Sequence, residues 1–192
     1  MAALSEKDKE RLQSVNDYLA RCVLPKPRET KHRPPDYKPK SWNHFPVLQN
    51  ANCYAYAANN MDLVFPRPGC RGIYPMGRTL IVEFNKAASD GFIPAPVRPG
   101  QTKPTPVKGY YLTALFVTHA EMGIGMHWYR QDSDGSWSHK DGNRKVTNKD
   151  DAGHRIRDPR KAIQNPDICY FTSFFYAPNE GVALGSKRLK PQ

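Results

Sequence analysis

Cys53 stands in the run VLQNANCYAYAANNMDLV, among small and polar residues rather than in the apolar company of an inert buried thiol. Asn52 ahead of it is a helix-capping residue type, and the CYAYAA that follows is built of helix formers and two tyrosines. The spacing predicts a helix that starts at the cysteine. At such a start, unpaired backbone N–H groups and the positive end of the helix dipole favour thiolate, the nucleophilic form. The two alternative readings of Cys53 are an inert thiol and a disulfide to Cys70. To cleave an amide, a thiolate needs a histidine within hydrogen-bond reach and a third group that fixes the imidazole.

Six histidines are available. His32 and His44 lie in a proline-rich stretch and His154 in the polar DDAGHRI loop, positions that predict solvated side chains. His119 ends an apolar strand and is a weaker competitor. His127 and His139 flank WYRQDSDGSWS on the two arms of an expected hairpin. If SDG forms a three-residue loop with Gly135 in the left-handed position, Tyr129 opposes His139 and both histidines share one face as diagonal neighbours. An even loop would put them on opposite faces. The same alternation turns Trp128 into the core and sets Trp137 beside His139 at the site.

A helix-initiating NCYAYA, then a sheet, a strand HWYR and a second histidine on the next strand together resemble the NlpC-type cell-wall peptidases of the papain-like fold. The resemblance covers roughly residues 45 to 145. It implies Cys53 as nucleophile, His127 as base and His139 as the orienting residue, with acyl transfer through a thioester and no metal or other cofactor. The chain departs from the family pattern in carrying Tyr54 and Ala55 directly after the cysteine and two proline-rich insertions before His127. Asp141, Asn143 and Asp150 are alternative orienting groups. The oxyanion would meet the Cys53 backbone N–H and one side-chain donor, for which Gln49, Asn50 and Asn52 are candidates.

Several elements must position these groups. Leu12, Val15, Leu19, Cys22 and Val23 recur at helical spacing behind Ser5, predicting a helix over residues 6–22. Residues 24–46 carry six prolines and many cations, which predicts an extended arm. RTLIVEFNKAASDGF reads as a helix ending near Gly91, IPAPVRPGQTKPTP as a connection, and GYYLTALFVTHA, MHWYRQ, SWSHK and ICYFTSFFYAP as strands. The expectation is an α+β fold, papain-like in its finer arrangement, with the nucleophile helix packed on an antiparallel sheet. Residues 1–45 would form the N-terminal helix and arm, and residues 46–192 the catalytic domain.

Composition narrows the function. The chain has 192 residues, 39% hydrophobic, enough for one modest core. A net charge of +11 favours an anionic partner. Nothing approaches the ~18 apolar residues of a membrane span. The N-terminus turns charged at Glu6, so no cleaved leader is expected and any export would be leaderless. No CxxC, P-loop, GxSxG or HExxH occurs, and KDDAG lacks the spaced acids of a calcium loop.

Three readings follow. The first is a cysteine amide-bond hydrolase acting on peptidoglycan peptides, as an antibacterial effector or lysis enzyme with a small acidic immunity protein as partner. Within it, a protease or deamidase acting on a host protein stays open. The second is a non-enzymatic polyanion binder using KPRETKHRPPDYKPK and the tail SKRLKPQ, although no nucleic-acid-binding motif is present. The third is a scaffold that keeps the fold without the chemistry.

Overall fold

A computed structural model describes residues 6–62, 65–69, 80–120, 123–163 and 168–184. Its centre is a five-stranded antiparallel sheet in the order β1-β5-β2-β3-β4. The strands are β1 (Ile93–Ala95), β2 (Tyr110–Ala120), β3 (Gly123–Gln131), β4 (Trp137–His139) and β5 (Ile168–Pro178). The two longest, β2 and β5, are the runs of β-branched and aromatic residues, and they pair at the middle of the sheet. IPA, read as a connection, instead forms the edge strand β1. Pro94 is accommodated there because an edge leaves its nitrogen unpaired.

The helices are α1 (Glu6–Ala20), α2 (Pro39–Trp42), α3 (Val47–Asn50), α4 (Cys53–Ala57) and α5 (Leu80–Asp90). Along α1, Val15 is fully buried with Leu12 and Leu19 packed beside it, so the predicted stripe does face the core. The helix stops at Ala20, short of the expected Cys22. α5 ends at Gly91, whose φ of 112° lets the chain leave the helix where a side chain would be strained. The arm carries one helical turn that its prolines were expected to forbid. Pro39 opens α2 at the first helical position, where a missing N–H costs nothing.

Strand alternation sorts the sheet into two apolar faces. Leu115, Val117, Trp128 and Phe175 pack with Val15, Tyr54, Phe84 and Phe92 under α1, α4 and α5. Leu112, Ala114, Phe116, Tyr129, Phe174 and Tyr176 cover the opposite face with Trp137 and Ile156. No helix of the described residues is long and apolar enough to cross a membrane.

Candidate functional site

Asn52 caps α4 as its residue type predicts: its side-chain oxygen accepts from the backbone N–H groups of Tyr54 (3.1 Å) and Ala55 (3.0 Å). Its amide nitrogen donates to the Pro66 carbonyl at 2.8 Å. The oxygen of the side chain is therefore fully engaged and the nitrogen holds one partner. Asn52 positions the helix, with one of its two amide N–H donors committed to Pro66. Gln49 is exposed on α3, and its amide makes no hydrogen bond among the described residues, so its donors are left for an oxyanion. Trp137 is 4% exposed and stacks toward Phe174 at 5.7 Å. It belongs to the apolar cluster on the sheet's second face, packed with Ile156 and Phe174.

Cys53 begins α4 with a free, half-buried thiol. Cys70 lies outside the described residues. The Cys53 thiol points at the backbone of β3 and donates to the Met126 carbonyl at 3.8 Å. Within β3, β4 pairs with residues 129–131, so this thiol meets β3 just beyond the end of that pairing. The sulfur is thus lodged against the main chain on either side of His127.

The hairpin forms with the odd loop. Asp132 N–H donates to the Ser136 carbonyl, Gly135 takes a φ of 80°, and Tyr129 opposes His139. His127 and His139 are buried together, with Nε2 of the first 2.8 Å from Nδ1 of the second. Tyr129 stacks on His139 at 4.6 Å and meets His127 edge-on at 5.0 Å, so an aromatic wall holds both rings. The Lys149 backbone favours a proton on His139, and Nδ1 is already engaged, so the tautomer taken for the site has that proton on Nε2. His139 Nδ1 is then an acceptor, His127 donates from Nε2, and His127 Nδ1 carries the lone pair. Among the described residues no hydrogen bond links Cys53 to either imidazole. Nδ1 is the ring nitrogen left for a thiol.

Electrostatics modify the expected thiolate. The N–H groups of Trp128, Tyr54 and Cys53 itself do favour the anion, but burial outweighs them and pushes the thiol up to about 11, with Asp141 adding to the rise. Burial likewise holds His127 down to about 3, helped by repulsion from His139, and keeps His139 below its ordinary value. At neutral pH the resting site is thiol and neutral imidazole, since a buried ion pair would cost more to desolvate. Iodoacetamide labelling of Cys53 in the folded protein should therefore run about a hundredfold slower near neutral pH than for a thiol titrating at the ordinary 9.0. Its rate should keep climbing about tenfold per pH unit past pH 9. A plateau below pH 8, read by mass spectrometry of the labelled peptide, would contradict a buried neutral thiol.

Two groups escaped the sequence reading. Lys140, taken for part of a solvated loop, is fully buried beside His139, and its ammonium donates to the carbonyls of Leu48 (2.9 Å), Gly142 (2.8 Å) and Arg144 (3.1 Å). It ties α3, and with it Gln49, to the loop after β4. Arg130 is also fully buried, bonding Asp132 (3.0 Å), the Tyr56 hydroxyl (2.8 Å), Asn59 (3.1 Å) and the Asp36 carbonyl (3.1 Å). Strand alternation carried a signal for it: Arg130 and Asp132 share the face of Trp128, the inward one. Asp150, an alternative orienting group, instead spends its carboxylate on the N–H groups of Ala152, His154 and Ile163.

No family model and no solved structure matches the chain. It is 33% identical over 132 residues to the insoluble matrix shell protein 1 of the clam Ruditapes philippinarum, across 68% of this chain and 82% of that protein. With that identity maintained over most of both chains, the protein belongs to the family of the insoluble matrix shell protein 1.

Proposed function

We propose that the protein is a cysteine amide-bond hydrolase of papain-like arrangement, with Cys53 as nucleophile, His127 as general base and His139 as its positioning residue. The observation that carries this reading is the 2.8 Å contact between His127 Nε2 and His139 Nδ1, which leaves Nδ1 of His127 available while the Cys53 thiol lies against the backbone beside it. The thiol proton passes to His127 Nδ1 as sulfur attacks the amide carbon and the carbonyl pair moves onto oxygen. That oxyanion takes hydrogen bonds from the Cys53 backbone N–H and from Gln49. Collapse of the adduct breaks the C–N bond, and the amine leaves with the proton from Nδ1. Water then attacks the thioester, giving one proton to Nδ1. Collapse breaks the C–S bond, Nδ1 returns that proton to sulfur, and the product leaves as the carboxylic acid, which ionises in water. The substrate proposed is the peptide of bacterial cell wall, in keeping with the NlpC-type resemblance and an overall charge of +11.

The name of the clam relative favours a second reading, a matrix component with no turnover. Isolated peptidoglycan separates the two. Wild-type protein should release new amines and alter the muropeptide profile, and Cys53→Ala should do neither. A profile unchanged by folded wild-type protein sinks the wall substrate. If a panel of protein amides is also left uncut, the matrix reading takes its place.

A further inference from the structure

Residues 22–38 run without helix or strand, kept extended by Pro25, Pro27, Pro34 and Pro35. The domain grips this strap by its backbone. Arg28 N–H donates to the Lys108 carbonyl at 3.0 Å, and the His32 carbonyl accepts from the Asn179 amide at 3.0 Å. The Pro35 carbonyl accepts from Ser133 N–H at 2.8 Å, and the Asp36 carbonyl from Arg130 at 3.1 Å. At Gly109 the contact is so close that a Cβ would lie 2.8 Å from the Arg28 carbonyl oxygen. Backbone used this way leaves the cationic side chains outside: Lys26, Arg28, Lys31, Arg33, Lys38 and, on α2, Lys40 are all exposed.

Neutralisation along the strap is partial. Arg28 pairs with Glu180 at 2.5 Å, while Arg33 and Lys38 share the single carboxylate of Asp36 at 3.1 and 3.2 Å. Glu29 is spent on Lys108 at 2.6 Å. Lys26, Lys31 and Lys40 make no ion pair among the described residues. We propose that the strap is a docking track for a linear anionic polysaccharide, one bearing sulfate or carboxylate groups along its length. At the ~3.1 Å rise of an extended proline-rich chain, Lys26 to Lys38 spans about 37 Å of fixed positive charge. Because the track is already anchored, binding orders side chains but little backbone. A single-stranded nucleic acid is a poorer fit, since it relies on aromatic platforms for its bases. Tyr37 of the strap and Trp42 just beyond it pack inward with Tyr56 and Val146, which leaves Phe45, past the end of the track, as a single exposed ring.

This proposal is independent of any turnover at Cys53, and binding alone tests it. The full chain is titrated with heparin over a range of salt concentrations. The triple variant Lys26→Gln/Lys31→Gln/Lys40→Gln should bind at least about tenfold more weakly, with a log-affinity against log-salt slope shallower by about 2. The control Lys145→Gln/Arg157→Gln/Lys161→Gln removes three exposed cations from the loop between β4 and β5 and should change affinity by less than about twofold. Equal losses in the two variants would overturn the proposal, reducing the strap to a share of diffuse charge. Tighter binding of oligothymidine than of a heparin fragment of matched charge would overturn the choice of polysaccharide.

Discussion

His127→Ala is expected to lower amide hydrolysis by about 10²–10⁴-fold, the usual worth of a positioned general base. The reason is tautomeric as much as spatial. In the tautomer taken for the site His139 accepts from His127 Nε2, which puts the base lone pair on Nδ1, and an alanine removes that nitrogen. His139→Gln should cost less, because the base remains but can rotate away from its working tautomer; its signature is an altered pH profile at retained substrate affinity. Wild-type turnover by His127→Ala on a cleaved substrate would refute the assignment. The same ring has a second readout that needs no substrate. Burial holds His127 near 3 in the folded state against 6.5 when free, so the unfolded chain binds the extra proton in between. Stability contributed by the neutral ring is present above pH 6.5 and is lost as pH falls toward 3, at about 1.4 kcal/mol per pH unit. Urea midpoints should therefore fall more steeply with acid in wild type than in His127→Ala.

The parts of this site that rest on local chemistry were legible in the sequence. Asn52 before a run of helix formers gave the cap and the start of α4, and an Asp-Gly at the hairpin tip gave the odd loop that puts both histidines on one face. Periodicity of two placed Trp128 inward, and apolar runs placed β2 and β5. What stayed hidden depends on burial, which no local pattern encodes. The capped helix start argued for a thiolate at Cys53, yet the apolar packing around α4 reverses the sign. Trp137 was set on the right face of its strand, but the burial of its ring is decided by Ile156 and Phe174, distant in sequence. Lys140 sits in a stretch dense in charge, and its three carbonyl partners come from two separate segments. The partner of the Asn52 amide nitrogen, Pro66, was hidden because it is supplied by a loop that follows the helix.

Arg130→Ala should be the most destabilising single change outside the site, by about 3–5 kcal/mol, since it strands a buried carboxylate. Arg130 and Asp132 are both inaccessible to solvent, and one Asp132 oxygen has no hydrogen-bond partner even with the arginine present. The guanidinium also stacks over the Tyr56 ring at 4.0 Å, and it bonds Asn59 and the Asp36 carbonyl. One side chain thus joins β3 to α4 and both to the strap. Burial already raises the Asp132 carboxyl above its ordinary value, with Arg130 opposing that rise. Removing the arginine raises it further, so the folded variant takes up a proton more readily than the unfolded chain. Its deficit relative to wild type should then shrink as pH falls because the variant itself gains stability in acid, whereas at a broken surface pair the deficit shrinks because the wild type loses its benefit. Denaturant melts at several pH values give that trend. The loss should also be directional: with the Asp36 carbonyl released, trypsin should cut within residues 26–40 faster than in wild type, before the sheet unfolds. A deficit below about 1 kcal/mol that does not vary with pH would mean that water reaches Asp132 and that the pair is not truly buried.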